Sequence, residues 1–309
     1  MQESEDVELR PSSHSAYQPF RELRNCYPFV KWAGGKTQLL VELNKVIPSE
    51  FDQYFEPFLG GGAMFFHLIS NRNRIFTAYL ADLNRDLITS YKIVKHNVKE
   101  LIQLLKKYEA EYKEDPIEYY YTLRDTIRPK NDIEKAARFI ALNKTCYNGL
   151  YRVNRAGIFN VPIGRYKNPP ICDSNNLENV SQALRYSKAT VQARDYRQMI
   201  LERAEKGDFV FLDPPYNPTS STSNFTNYTD YGFGDNDQEQ LANIFRKLDD
   251  RKCRVLLTNS DTPFIRELYS DFATNIKEVS VLRAINCKAS KRTGHKELVV
   301  RNYDNDTCF

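Results

Sequence analysis

Residues 208–218 read DFVFLDPPYNP, an apolar run that ends on a carboxylate followed by two prolines and a tyrosine. A strand over this run would carry Asp213 beyond its carboxyl end, where open α/β sheets bind their ligands. Pro214 and Pro215 fix the backbone and remove N–H donors, so their carbonyls stay available as acceptors. A carboxylate and a carbonyl side by side suit an amino group, and the ring of Tyr216 suits stacking on a flat base. The chemistry these types imply is recognition of a planar aromatic amine.

Two glycine clusters accompany this motif. In FEPFLGGGAMFF, residues 55–66, the glycines stand where a strand turns into a helix, and such a turn lets backbone approach a ligand closely. Asp82 ends the next apolar run, about twenty residues on, where a carboxylate can accept hydrogen bonds from ribose hydroxyls. The second cluster, VKWAGGKTQ at 30–38, resembles a phosphate-binding loop. That loop needs a further glycine five positions before the one preceding the lysine, and Val30 stands there, so nucleotide hydrolysis is not expected.

The elements that must position these residues follow from the apolar pattern. Short β-rich runs occur at 54–58, 76–82, 190–195, 208–213 and 254–260, with helical patterns between most of them. Strands alternating with helices predict a doubly wound, mostly parallel sheet of the Rossmann-like type. Between about 92 and 189 the rhythm changes to helical stretches at 98–110 and 131–143, then to YNGLYRVNRAGIFNVPIGRYKNPP, whose NRAG predicts a hairpin. The expected organisation is a mobile extension over 1–26, a catalytic domain from 27–91 and 190–305, and an inserted helical and hairpin domain over 92–189.

Composition narrows the classes. With 309 residues, 41% hydrophobic, the chain can bury a full core. The N-terminus MQESEDVELRPSSHS is acidic and polar, unlike a secretory signal, and no apolar run is long enough to span a bilayer, so a cytoplasmic protein is expected. Cys26, Cys146, Cys172, Cys253, Cys287 and Cys308 form no C-x-x-C pair, and the four histidines share no ligand spacing; reduced cysteines and no metal are expected. The net charge is only +4, but Arg138–Asn168 and Arg283–Lys296 contain no Asp or Glu and several Lys and Arg, which suits a polyanion partner.

Taken in order, KWAGGK, FEPFLGGGA, ADLNRDLI, YNGLYRVNRAGIFNVPIGRYK, DPPY, NFTNY and LLTNSD resemble the Dam-like DNA adenine-N6 methyltransferases of the alpha group, which use S-adenosyl-L-methionine. The resemblance runs from about Tyr27 to Tyr303. It implies that Trp32, Lys36, Phe58, Gly60, Asp82, Asp195 and Asp213 surround the cofactor, and that Asp213, Pro214 and Tyr216 form the catalytic motif. It further implies that Lys31, Tyr147, Asn148, Leu150, Arg152 and Pro162 contact a GATC sequence in double-stranded DNA. The residue types are chemically apt for such contacts. Lys31 and Arg152 suit guanine O6 and N7, Leu150 a thymine methyl, and Tyr147 a base step vacated by a flipped adenine.

The implied reaction is direct methyl transfer to N6 of an extrahelical adenine, without a covalent enzyme intermediate. The segment SSTSNFTNY is expected to close over the flipped base. Alternatives left open by the sequence are a methyltransferase acting on RNA or on a protein amide, and an inactive DNA-binding homologue. The expected state is a monomer, with any cognate restriction endonuclease acting as a separate protein.

Overall fold

In a computed structural model, residues 25–32, 34, 36, 39–72, 74–219, 232–281 and 295–304 are described. Most of the expected extension, the SSTSNFTNY segment and most of the second acid-free stretch lie outside the described residues. Seven strands form one sheet: β1 (Gln53–Glu56), β2 (Thr77–Asp82), β3 (Thr190–Ala193), β4 (Phe209–Leu212), β5 (Arg254–Ser260), β6 (Ile276–Val281) and β7 (His295–Arg301), in the order β3-β2-β1-β4-β5-β7-β6. β1 to β5 are parallel to one another, and β7 runs antiparallel between β5 and β6.

The strand order explains where a ligand can enter. From β1 the chain winds outward through β2 to β3, then returns to place β4 on the other side of β1. The sheet therefore changes winding direction between β1 and β4, and a crevice opens outside the carboxyl ends at such a point. β4 is buried at all four positions, as a parallel strand covered on both faces must be. Alternation sends Tyr54, Phe209 and Phe211 to one core and Phe55, Val210 and Leu212 to the other.

The helices that precede and connect the strands are α1 (Leu40–Leu43) before β1, α2 (Ala63–Asn71) after β1, α3 (Arg85–His96) after β2, α8 (Tyr196–Arg203) after β3, α9 (Asp235–Asp250) before β5 and α10 (Pro263–Leu268) after it. Between α3 and β3 come α4 (Val98–Glu114), α5 (Pro116–Tyr121), α6 (Asp132–Thr145) and α7 (Ser174–Tyr186). Each of α3, α6 and α7 starts at an Asn or Asp whose side chain accepts from a backbone N–H of the first turn: Asn84, Asn131 and Asp173. Between α6 and α7 two antiparallel bridges, Cys146 to Ile163 and Val153 to Phe159, frame a turn in which Gly157 N–H donates to the Asn154 carbonyl and carries φ of +73°.

β6 and β7 go beyond the five strands read from the sequence. The adjacent charges Lys277 and Glu278 in IKEVSV, and the basic stretch that separates it from HKELVVR, hide the apolar signal of a strand pair. β1, β3 and β4 also end earlier than their apolar runs suggest. For β1 and β4 the cause is local: Pro57 follows Glu56 and Pro214 follows Asp213, and proline cannot donate to a ladder.

Candidate active site

The turn after β4 meets the loop after Lys31 through one ion pair. Lys36 Nζ lies 2.7 Å from Asp213 Oδ1. It also donates to the Gly34 carbonyl at 2.7 Å and sits 4.6 Å from the centre of the Tyr216 ring. Thr258 Oγ1, on β5, donates to the same Asp213 oxygen at 2.8 Å. The Tyr216 hydroxyl donates to Glu297 Oε2 on β7 at 2.8 Å. Burial pushes the pKa of that hydroxyl well above its ordinary range, and the neighbouring carboxylates of Asp213 and Glu297 push it the same way.

Buried amides fix the rest of this turn. Gln238 Nε2, on α9, donates to the Pro215 carbonyl at 2.9 Å, and Gln238 Oε1 accepts from Asn259 Nδ2 at 3.0 Å. Asn259 Oδ1 in turn accepts from the Asn217 N–H at 3.1 Å. Ser260 Oγ donates to the Asn217 carbonyl. Gln238 and Asn259 are completely buried, so each of these bonds also spares a buried amide an unmet hydrogen bond.

After the neighbouring strand β1, Gly60 turns the chain with φ of +47°, and a Cβ there would lie 2.6 Å from the Trp32 ring. Asp82 holds this turn: Oδ2 accepts from Gly60 N–H and Oδ1 from Asn84 N–H, both at 2.9 Å. Burial raises the Asp82 pKa, and these backbone donors oppose the rise. Trp32 stacks on Tyr151 at 6.0 Å, and Phe58 packs on Tyr196 and Phe233 at 5.0 and 5.8 Å. Glu56, at the end of β1, is buried, accepts from Tyr54 Oη at 2.8 Å and Phe65 N–H at 3.2 Å, and has its pKa pushed up by burial to about 8. Asp195 caps α8 and clasps the Arg197 guanidinium through both oxygens at 2.8 Å, which holds its pKa below the ordinary range.

The residues expected at DNA form a second group. Asn143, buried on α6, accepts from the Lys31 N–H at 2.7 Å and donates to the carbonyls of Lys31 at 2.7 Å and Gly149 at 3.1 Å. This bolts the loop preceding Lys36 to the YNG turn. A Cβ on Gly149 would lie 2.3 Å from Lys31 Cβ, so only glycine permits that approach. Lys31 Nζ lies 3.6 Å from the centre of the Tyr166 ring. Tyr147 is exposed and donates its N–H to the Pro162 carbonyl at 2.9 Å; Asn148 adopts φ of 55°, Leu150 is half-buried, and exposed Arg152 donates to Asn160 Oδ1 at 2.7 Å. Lys31 thus neighbours the first group in sequence and joins the second in space.

A carboxylate, an adjacent carbonyl and an aromatic ring follow β4, and a glycine turn held by another carboxylate follows its neighbour β1. A family model of D12 class N6 adenine-specific DNA methyltransferases matches residues 32–285. The chain belongs to this family. It is also 45% identical over 291 residues to the type II methyltransferase M.MjaIII of Methanocaldococcus jannaschii, covering 89% of this chain and 99% of that one. The type II methyltransferase M1.LlaDCHI of Lactococcus lactis subsp. cremoris is 41% identical, covering 91% and 97%. The DNA adenine methylase of Escherichia coli K12 is 35% identical, covering 88% and 93%.

In this adenine-specific DNA methyltransferase, Thr258, Glu297 and Asn143 touch the expected site residues Asp213, Tyr216 and Lys31, while Gln238 and Asn259 hold the adjoining Pro215 and Asn217, and reading the sequence assigns none of the five a role. A signal existed for Thr258 and Asn259, which are polar side chains at the end of an otherwise apolar strand, RVLLTNS. Glu297 and Asn143 had none, since each depends on a pairing between distant segments. Among the described residues of the methyltransferase no helix is long and apolar enough to cross a membrane.

Proposed function

We propose that the protein transfers a methyl group from S-adenosyl-L-methionine to N6 of an adenine flipped out of double-stranded DNA, within the sequence GATC. The observation that carries this reading is the seating of Asp213 beside Lys36 at the end of β4, next to strand β1, whose glycine turn Asp82 holds. The donor set fits the cofactor: Asp82 retains acceptor capacity for hydroxyls, Gly60 offers a close approach beside Trp32, and Asp213 is a carboxylate that would suit a cationic donor. When bound, S-adenosyl-L-methionine supplies an electrophilic methyl on that sulfur and leaves as a neutral thioether.

This chain's own residues do the rest. Asp213 and the Pro214 carbonyl accept the two N6 hydrogens, which aims the nitrogen lone pair at the methyl. Tyr216 stacks on the base and holds its plane. As N6 forms its new bond to carbon, Asp213 takes the proton that N6 sheds. Asp195, already engaged by Arg197, serves the adenosine end through its backbone and its cap of α8 more readily than through a free carboxylate.

Residues 92–189 act in this reading as the target-recognition domain. Lys31 and Arg152 donate to the guanines, Leu150 meets a thymine methyl, Tyr147 enters the gap left by the flipped adenine, and Asn148 and Pro162 contact the same GATC site. The protein works as a monomer, independently of any endonuclease. Incubation with radiolabelled cofactor and separate DNA, RNA and protein acceptors tests the substrate class: label in duplex DNA containing GATC, and none in the others, is expected.

A further inference from the structure

The antiparallel pair β5 and β7 presents two side chains to the turn after β4 from one face. Thr258 opposes Val299 and Ser260 opposes Glu297 in the ladder, so Thr258 and Glu297 are diagonal neighbours on the same side of the sheet. Thr258 donates to Asp213 at 2.8 Å, and Glu297 accepts from Tyr216 at 2.8 Å. Glu297 is 6% exposed, buried beside the stacking residue. A carboxylate there costs desolvation free energy unless it is bonded, and valine or threonine would satisfy the strand at lower cost. Glu297 also lies beyond residues 32–285, the part of the chain that the family model matches.

We propose that Glu297 is a positioning residue for the methyl transfer, acting through the hydroxyl of Tyr216. The ring of Tyr216 is a lever with one free torsion at its root and one about its own axis. Its hydroxyl oxygen lies on that axis, farthest from the backbone, so a bond there fixes where the axis points, and the preference of a phenolic O–H for the ring plane then biases the plane on which the adenine stacks. Glu297 reaches it from β7, a strand clamped on both sides by β5 and β6. A charged acceptor makes this bond stronger than a neutral one, and it enriches the ring face on which Lys36 already sits. The role rests on the reading of Tyr216 as the residue that stacks on the target adenine.

The test is a double-mutant cycle on Glu297→Ala and Tyr216→Phe, with Glu297→Gln alongside. Methyl transfer from S-adenosyl-L-methionine to a GATC duplex is measured as kcat and KM, and fluorescence of 2-aminopurine at the target position reports the seating of the flipped base. Glu297→Ala is expected to lower kcat about tenfold or more with little change in KM for DNA, the size of one lost charge-assisted hydrogen bond. Glu297→Gln, which still accepts from the hydroxyl but without the charge, recovers part of the rate. In the Tyr216→Phe background, Glu297→Ala costs less than about twofold, because the shared bond is already gone. An equal loss in both backgrounds, an unchanged kcat in Glu297→Ala, or a Glu297→Gln enzyme as slow as the alanine variant overturns the proposal. Failure of the underlying reading looks different: the wild-type enzyme then gives no transfer to the GATC duplex at all.

Discussion

Lys36 and Asp213 meet at 2.7 Å, and their meeting joins the glycine-lysine segment to the turn after β4. In a phosphate-binding loop the lysine would turn toward a nucleotide. Here its ammonium is taken up by a carboxylate, a backbone carbonyl and the face of an aromatic ring. Val30, buried at the point where such a loop needs glycine, belongs to the core. Lys36 thus ties its segment to the turn after β4.

Asp213→Ala removes both the amine acceptor and the partner of Lys36. Methyl transfer should fall by roughly a hundredfold or more, while affinity for duplex DNA changes by only a few-fold, because phosphate contacts elsewhere supply most of it. Single-turnover transfer and fluorescence anisotropy on the same duplex measure the two quantities. Substantial residual transfer would remove Asp213 from the reaction.

Gly60→Ala asks an L-residue to adopt φ of +47° with its Cβ 2.6 Å from Trp32. The left-handed conformation alone costs about 1–2 kcal/mol, and Trp32 must also shift. The expected result is weaker binding of S-adenosyl-L-methionine by calorimetry, with DNA affinity preserved. A variant that binds the cofactor normally would separate this turn from the cofactor pocket.

Asn143→Ala unpairs three backbone groups that tie Lys31 to the YNG turn. A loss of about 1–3 kcal/mol in unfolding free energy is expected from denaturant titration. Discrimination against duplexes altered at the guanine should weaken as well, since Lys31 loses its anchor. Unaltered discrimination in a destabilised variant would assign Asn143 to stability only.

Glu56 supplies a pH signature. Its folded pKa of about 8 lies above the ordinary 4.5, so between those values the native state holds a proton that the unfolded chain releases. Stability from this group is therefore fully present below about pH 4.5 and declines as pH rises toward 8, by at most about 1.4 kcal/mol per pH unit. Glu56→Gln should flatten that decline in a series of denaturant titrations across the window. An identical slope in the variant would show that Glu56 does not titrate there.

The winding of the sheet was legible because strands such as DFVFLD and RVLLTNS carry continuous apolar runs bounded by breakers. The antiparallel pair β6 and β7 was not, since IKEVSV carries the adjacent charges Lys277 and Glu278 within a short run and its partner lies across a long basic stretch. The same division holds at the site. Asp213, Tyr216, Gly60 and Asp82 announce themselves by position at strand ends. Glu297, Asn143 and Gln238 act through contacts between segments far apart in the chain, and nothing local marks them. Asp195 was read as a strand end, yet the strand stops at Ala193 and its carboxylate caps a helix.

Adenine methylation within GATC is tested most directly on plasmid DNA free of methylated adenine. The plasmid, incubated with the protein and S-adenosyl-L-methionine, is digested with one endonuclease blocked by GATC adenine methylation and one that requires it. Protection from the first and cleavage by the second are expected, both lost in Asp213→Ala. Unchanged sensitivity to both enzymes, in a preparation that transfers labelled methyl to other DNA, would contradict GATC as the target.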